Sequence, residues 1–226
     1  MSPVAWALLE SLPESARREL MANAHPRSFG RGDVVFHEGD PGDSLHLVRS
    51  GMFAIRVSAS DGEALTVNVV APGEFFGELA LVRAAHTPRR TATVIALVPS
   101  TTLALAGSAF MALRTAHPSV DQLVVAALAQ RVEELGARLL EALYVGVDRR
   151  VYRRLLELAE VCSRASSDGV IPLSQTDLAG MAGASRPTVN QVLQRLVARG
   201  TISLHRRQIV IEDLAALRAA SPGFDS

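Results

Sequence analysis

One predicted helix carries polar side chains whose chemistry suits the recognition of DNA bases. Counted from Ser185 at helical spacing, its apolar face comprises Val189, Val192, Leu193, Leu196 and Val197. The opposite face lacks acidic residues and comprises Arg186, Pro187, Asn190, Gln191, Gln194 and Arg195. Arginine can bond guanine through two hydrogen bonds, and asparagine or glutamine can bond adenine in the same way. For one helix in isolation, a solvated face that contacts nothing is the alternative.

The sequence before this helix predicts a second helix and a tight turn. Ser174 with Asp177 resembles a capping box, so a helix should begin there. Gly183 supplies the permissive backbone that a tight turn between helices needs. These signals favour a helix-turn-helix.

The sequence after the turn predicts where the second helix begins, where it ends, and a β-hairpin wing after it. Pro187 lies in the first turn of the second helix, where a missing amide proton has no cost, and Gly200 ends that helix. A β-hairpin follows around His205, Arg206 and Arg207. This order is that of a winged helix-turn-helix, which favours DNA recognition over a solvated face. The predicted DNA-binding residues are Ser174, Ser185, Arg186, Pro187, Thr188, Asn190, Gln191, Arg195, His205 and Arg206.

Charge is distributed unevenly although the formal net charge of the chain is zero. Residues 148–210 hold ten arginines and five acidic residues. The wing arginines, and a cluster formed by Arg149, Arg150, Arg153 and Arg154, could contact phosphates, which positions a protein on DNA without specifying a sequence. Such clusters are more often only solvated.

The first half of the chain has a different pattern of apolar, polar and turn residues. Short amphipathic helices are predicted within residues 1–25, one around Trp6 and one after Pro13. From Phe29 to about Leu105, short alternating apolar segments are separated by turn residues such as Gly32-Asp33 and Pro72-Gly73. Many short strands at regular spacing indicate an antiparallel roll or barrel.

A helix of about 25 residues should follow Pro118. Apolar residues at steps of three and four form a heptad row, which comprises Val125, Leu128, Val132, Leu135, Leu139 and Ala142. We expect this row to mediate a homodimer through residues 120–143, although a helix packed on its own domain is the alternative. A second row could face the β-domain, and it comprises Leu123, Ala127, Leu140 and Tyr144.

Composition excludes several classes of protein. Cys162 is the only cysteine, which excludes an intrachain disulfide and disfavours a cysteine-ligated iron–sulfur cluster. The chain has no apolar run long enough for a membrane span and no basic leader, so we expect a cytoplasmic protein without a membrane partner. No nucleophile and base pair stands out, and the His-x-His cluster of a cupin-like metal enzyme is missing, so we predict no catalysis.

Two motifs resemble the CRP/FNR family of transcription regulators, named for the cyclic-AMP receptor protein. One is the helix-turn-helix Gly183-Ala184-Ser185-Arg186-Pro187-Thr188-Val189. The other is Phe76-Gly77-Glu78-Leu79-Ala80-Leu81 followed by Pro88-Arg89-Arg90-Thr91-Ala92-Thr93-Val94, which is similar to the phosphate-binding cassette of cyclic-nucleotide-binding domains. The resemblance covers nearly the whole chain. It implies an α+β fold with an effector-sensing antiparallel β-roll (1–117), a long dimerisation helix (118–145) and a winged helix-turn-helix (146–226).

In that family the cassette glutamate accepts a hydrogen bond from the ribose hydroxyl and an arginine pairs with the cyclic phosphate. The resemblance assigns these roles to Glu78 and Arg90, and physical chemistry agrees, because a buried anion needs a guanidinium and a sugar hydroxyl needs a fixed acceptor. A structural salt bridge between the two is the alternative. The predicted ligand residues are Gly77, Glu78, Leu79, Arg89, Arg90 and Thr91.

The family also implies the partners and the effector. The partners are a double-stranded DNA operator and RNA polymerase, and the effector is cyclic AMP or another cyclic nucleotide, with no covalent cofactor. A cyclic dinucleotide, activity without ligand, or haem are alternatives, and the candidate haem ligands are His25, His37, His46, His86 and His117. Leu135 and Gly136 stand where the receptor protein presents hydroxyl groups to adenine, so purine selection should differ.

Overall fold

A computed structural model of the chain describes residues 12–58, 64–82, 89–165 and 169–221, together with Trp6 and Leu9. The chain forms two compact units. One comprises Met1–Val57 with Val70–Glu134, and the other comprises Ser58–Val69 with Leu135–Ser226. The predicted α+β class is confirmed, while the division at residues 117 and 145 stays a prediction. No helix in the described ranges has both the length and the apolar character needed to cross a membrane.

In the described residues, eight short strands form the β-roll. They are β1 (Ala24–Phe29), β2 (Val34–Phe36), β3 (Ser44–Ser50), β4 (Phe53–Ser58), β5 (Ala64–Val70), β6 (Phe75–Phe76), β7 (Thr93–Ala96) and β8 (Ser100–Ala106). The two sheets have the orders β1-β8-β3-β6 and β2-β7-β4-β5. Every pair whose register is described runs antiparallel. Inward side chains of both sheets form one core, which includes Val48, Phe53, Phe76 and Val94.

Helices cover this β-roll and form a second core with it. They are α1 (Glu14–Asn23), α2 (Glu78–Val82), α3 (Gly107–Ala116) and α4 (Pro118–Tyr144). Leu20, Leu105, Phe110 and Val124 are buried together in this second core. The helix predicted after Pro13 is therefore confirmed as α1. The helix predicted before it lies mostly outside the described residues.

The first turns of helix α4 pack on the β-roll. Val124 is buried and Leu128 packs against the same core, whereas Leu140 is 59% and Tyr144 is 81% exposed. The suggestion that these last two residues could face the β-domain stays a prediction, because they belong to the second compact unit. Four members of the predicted heptad row are largely exposed on the single chain, namely Val125, Val132, Leu135 and Leu139.

The second unit contains the winged helix-turn-helix. Its elements are α5 (Val147–Ala165), β9 (Val170–Ile171), α6 (Gln175–Ala182), α7 (Arg186–Ala198), β10 (Ile202–His205), β11 (Gln208–Ile211) and α8 (Leu214–Ala219). The three strands form an antiparallel sheet in the order β10-β11-β9. The two-residue strand β9 is too short to give an alternating pattern, so the sequence did not predict it.

Candidate functional site

Five of the six predicted ligand residues line one small cavity in the β-roll. They are Gly77, Glu78, Leu79, Arg90 and Thr91, and the cavity volume is about 50 Å³. This volume is well below the few hundred Å³ that ligand pockets usually have. Binding of a nucleotide would therefore require the lining side chains to move.

Arg90 is almost completely buried and its guanidinium is held in place by oxygen acceptors. Its Nη1 donates to the carbonyl oxygens of Ser44 at 2.7 Å and Gly77 at 3.2 Å. Its Nη2 donates to Ser44 Oγ at 2.9 Å and to Asp43 Oδ1 at 3.2 Å. The guanidinium carbon lies 3.9 Å from the centre of the Phe36 ring. Arg90 Nε has no hydrogen-bond partner among the described residues.

Glu78 is buried as well, and its partner comes from the long helix. Its Oε1 accepts a hydrogen bond from Arg131 Nη1 at 2.5 Å, while Oε2 has no partner within the described part of the chain. Burial raises the pKa of Glu78, and the positive charge of Arg131 opposes that shift. Since Glu78 pairs with Arg131 and Arg90 pairs with Asp43, the alternative of a Glu78–Arg90 salt bridge is wrong.

Sequence reasoning missed Arg131. The residue follows Val124 and Leu128 at helical spacing, so it lies on the face of α4 that packs on the β-roll. An arginine on an otherwise apolar face is the signal that could have identified it.

Gly77 brings the backbone close to Arg90. Its φ is +92°, and a β-carbon there would lie 2.7 Å from Arg90 Nη1 and 2.9 Å from the Ser44 carbonyl oxygen. We expected this glycine to admit a ligand, but the close approach in the structure is to the guanidinium. The lack of a side chain at Gly77 therefore leaves the space that the Arg90 guanidinium occupies.

Arg89 is not brought into the cavity. It is exposed, and its Nη1 donates to the Gly39 carbonyl oxygen at 2.9 Å. Successive side chains in extended backbone point in opposite directions, so Arg89 and Arg90 cannot both face inward. Leu135 and Gly136 belong to the second compact unit, where Leu135 is 64% exposed and a β-carbon at Gly136 would meet nothing within 4 Å.

Within the described part of the chain, the candidate haem ligands do not converge on a metal site. His25 and His46 line a cleft of about 830 Å³ that Arg90 also lines, but both ring nitrogens of His46 are engaged. Its Nδ1 lies 3.0 Å from Thr102 Oγ1, and its Nε2 lies 3.3 Å from Ser44 Oγ. Its ring stacks on Phe76 with centroids 5.1 Å apart, and burial lowers its pKa to about 4. His86 lies outside the described residues.

The helix-turn-helix follows its local sequence signals closely. Ser174 Oγ accepts from Asp177 N at 3.2 Å, and Asp177 Oδ2 accepts from Ser174 N at 3.0 Å, which completes the predicted capping box. Gly183 ends α6 with a φ of 58° in the left-handed region. Ser185 Oγ caps α7 by accepting from Thr188 N at 3.4 Å. The two predicted helix starts and the turn are therefore confirmed.

The outward face of α7 presents most of the predicted DNA-binding residues. Arg186, Pro187 and Gln191 are exposed, while Thr188 and Asn190 are partly buried. Four of the five apolar residues predicted for the inner face are buried, but Val197 is 37% exposed because it lies at the edge of that face.

Arg195 is exposed but already has a partner. Its Nη2 lies 2.5 Å from Asp148 Oδ2 in the first turn of α5. With both side chains about half exposed, such a pair is worth at most about 1 kcal/mol. A DNA phosphate could therefore compete for Arg195.

A cleft of about 250 Å³ connects the helix-turn-helix and the wing. It brings together three predicted residues, Ser174, Arg186 and His205, and it also includes Gln175 and Arg207. Arg206 is exposed at the tip of the hairpin. Sequence reasoning missed Gln175, although its place directly after the cap of α6 puts it beside Ser174.

Only part of the arginine cluster on α5 that was suggested to contact phosphates is available to bind DNA. Arg153 and Arg154 both form ion pairs with Glu141, and the side chain of Arg154 is only 4% exposed. The suggested phosphate contact of Arg154 is therefore wrong, because burial keeps its guanidinium away from a DNA backbone. Charge along a sequence does not show which face of a helix is covered.

Known proteins share both parts of this architecture. The chain matches the cyclic nucleotide-binding domain family over residues 26–117 and the Crp-like helix-turn-helix domain family over residues 149–220. It is 28% identical to a CRP-like cAMP-activated global transcriptional regulator of Mycobacterium tuberculosis, over 91% of this chain and 92% of the relative. It is 30% identical to the cyclic AMP receptor protein of Thermus thermophilus, over 88% of each.

A solved structure supports the same assignment. The crystal structure of a CRP/FNR family transcriptional regulator from Thermus thermophilus has a TM-score of 0.69 and 27% identity, and the match covers 87% of this chain and 98% of that one. In this chain the cyclic nucleotide-binding domain precedes the helix-turn-helix domain, and α4 lies between them. The chain therefore belongs to the CRP/FNR family of transcription regulators.

Proposed function

We propose that the protein is a homodimeric regulator that binds operator DNA through α7 and its wing. A cyclic nucleotide, cyclic AMP in the first place, binds beside Glu78 and Arg90 and controls this activity. The dimer pairs through residues 120–143, acts in the cytoplasm and contacts RNA polymerase.

One observation carries the proposed ligand. Glu78 and Arg90 are buried, line the same cavity, and each has one polar atom without a partner among the described residues, Glu78 Oε2 and Arg90 Nε. Leaving such atoms unpaired costs about 1–3 kcal/mol each, or more for charged groups. A cyclic nucleotide would satisfy both atoms, since its phosphate accepts from the guanidinium and its ribose hydroxyl donates to the carboxylate. This complementarity favours a cyclic nucleotide over haem.

Calorimetric titration tests the ligand. We expect heat of binding with cyclic AMP and its loss in Arg90→Ala, since the substitution removes the phosphate partner. Arg89→Ala is the matched control, because Arg89 is exposed and does not line the cavity, and it should bind like the unsubstituted protein. Cyclic GMP and cyclic di-GMP serve as competing candidates. No heat with cyclic AMP or cyclic GMP, or equal binding by Arg90→Ala, would contradict the cyclic-nucleotide assignment.

The proposed DNA contacts are tested with duplexes selected from a randomised library. Arg186→Ala should lose sequence discrimination by about 1–3 kcal/mol while keeping salt-dependent background binding. Arg206→Ala should instead weaken binding to all sequences and reduce the salt dependence, because a wing arginine contacts phosphates. Equal losses on all sequences for Arg186→Ala would exclude a role in base recognition.

The exposed heptad row supports the dimer. Val125, Val132, Leu135 and Leu139 are each more than 60% exposed on the single chain, which is unusual for large aliphatic side chains in a row. Two paired chains would present their α7 helices to half-sites about 34 Å apart, one turn of DNA, so the operator should be roughly palindromic.

A further inference from the structure

The connection between α4 and α5 is short and poorly supported by packing. Only Val145 and Gly146 separate the two helices. Val145 N donates to the Glu141 carbonyl oxygen at 2.9 Å, which closes the last turn of α4. A β-carbon at Gly146 would meet no heavy atom within 4 Å. The backbone of this joint therefore leaves the angle between the helices to be fixed by side chains.

Glu141 supplies ion pairs across the joint. It lies in the last turn of α4, and its Oε1 accepts from Arg153 Nη1 on α5. Its Oε2 accepts from Arg154 Nη2, also on α5, at 2.8 Å. One carboxylate thus holds two guanidiniums of the neighbouring helix, and these segments of both helices belong to the second compact unit.

Burial shields these ion pairs from much of the screening that weakens ordinary surface ion pairs. The side chains of Glu141 and Arg154 are 12% and 4% exposed. Arg154 Nη1 also pairs with Glu157 Oε2 at 2.8 Å, so the cluster holds two guanidiniums and two carboxylates. Burial lowers the pKa of Arg154, while Glu157 and Glu141 oppose that shift. Removing the Glu141 charge would leave the two guanidiniums of this cluster with the single carboxylate of Glu157, and incompletely compensated charge in a largely buried cluster is destabilising.

We propose that Glu141 is a positioning residue for DNA recognition. Its ion pairs with Arg153 and Arg154 fix the angle between the end of α4 and α5, and α5 belongs to the same unit as α7. In a dimer paired through α4, this angle sets the separation at which the two α7 helices meet DNA. The inference rests on the proposed function, because it assumes a dimer that binds two half-sites.

Glu141→Gln is the informative substitution, because it keeps the shape of the side chain and removes its charge. Glu134→Gln is the matched control. Glu134 lies one heptad earlier on the same helix, outside the apolar heptad row, is exposed, and accepts a hydrogen bond from Gln130 at 3.0 Å. Circular dichroism and thermal unfolding first establish that both variants fold.

Fluorescence anisotropy then measures binding to a single half-site and to palindromes whose half-sites are separated by about 8 to 13 base pairs. For Glu141→Gln we expect about a tenfold loss on the preferred palindrome, with single half-site affinity within about twofold of the unsubstituted protein. The preference for one spacing should also flatten. Glu134→Gln should change none of these quantities. Parallel losses on half-site and palindrome would show a general stability effect and overturn the positioning role.

Amide hydrogen exchange provides a readout that does not depend on DNA. The amides of residues 145–150 should exchange faster in Glu141→Gln than in the unsubstituted protein. In Glu134→Gln their exchange rates should be unchanged. If exchange and spacing preference are both unchanged, the positioning role is wrong while the proposed function stands. If the unsubstituted protein binds no duplex, the proposed function fails, and exchange at the joint still shows whether Glu141 holds the two helices.

Adding Arg153→Gln to Glu141→Gln should cause little further change, because both substitutions remove the same contact.

Discussion

Acidification should destabilise the β-roll through His46. The ring is 5% exposed and stacks on Phe76, and burial lowers its pKa from the ordinary value of 6.5 to about 4. Below about pH 6.5 the unfolded chain takes up a proton at this position that the folded chain refuses until about pH 4. The stability due to neutral His46 is therefore fully present above pH 6.5 and declines between pH 6.5 and 4. From pH 7 to pH 5 the loss amounts to about 2 kcal/mol.

Urea unfolding followed by circular dichroism at pH 7 and pH 5 measures this loss. His46→Gln can keep hydrogen bonds to Thr102 and Ser44 but does not titrate, so its free energy of unfolding should fall less over the same interval. Comparing the two proteins removes the contribution of the carboxylates, which they share. His25→Gln is the control at an exposed histidine and should behave like the unsubstituted protein. Identical pH dependence for His46→Gln and the unsubstituted protein would refute the argument.

Two further predictions concern the cassette and the dimer. Gly77→Ala should lower the free energy of unfolding by about 2 kcal/mol and weaken cyclic-nucleotide binding at least tenfold by calorimetry, since the new β-carbon displaces Arg90. Gly39→Ala shares the positive φ but meets nothing within 4 Å, so it should leave ligand affinity unchanged. Leu135→Glu with Leu139→Glu should weaken dimerisation at least tenfold by analytical ultracentrifugation without loss of helix, because both side chains are exposed on the single chain. An unsubstituted protein that is monomeric at micromolar concentration would contradict the dimer.

The helix-turn-helix could be predicted from the sequence almost residue by residue because its signals are local. Ser174 caps a helix through a residue three positions away, and Gly183 and Pro187 act on their own backbone. Each of these effects depends on neighbours in the chain. Tertiary packing therefore changed little in the helix starts and the turn that these local signals predicted.

The cassette could be predicted only in part because its decisive contacts are distant in sequence. Glu78 and Arg90 were identified, but their partners Arg131 and Asp43 lie 53 and 47 residues away. Arg154 was misinterpreted for a related reason. A sequence shows the charge of a side chain but not whether another helix covers it.

A dimer paired through the exposed row on α4 would make the amount of protein in the cell a physical variable of regulation. If two chains associate through this row, the concentration of dimers at high dilution rises with the square of the concentration of chains. Modest changes in synthesis or degradation would then alter promoter occupancy more than proportionally, even at a constant level of the small-molecule signal.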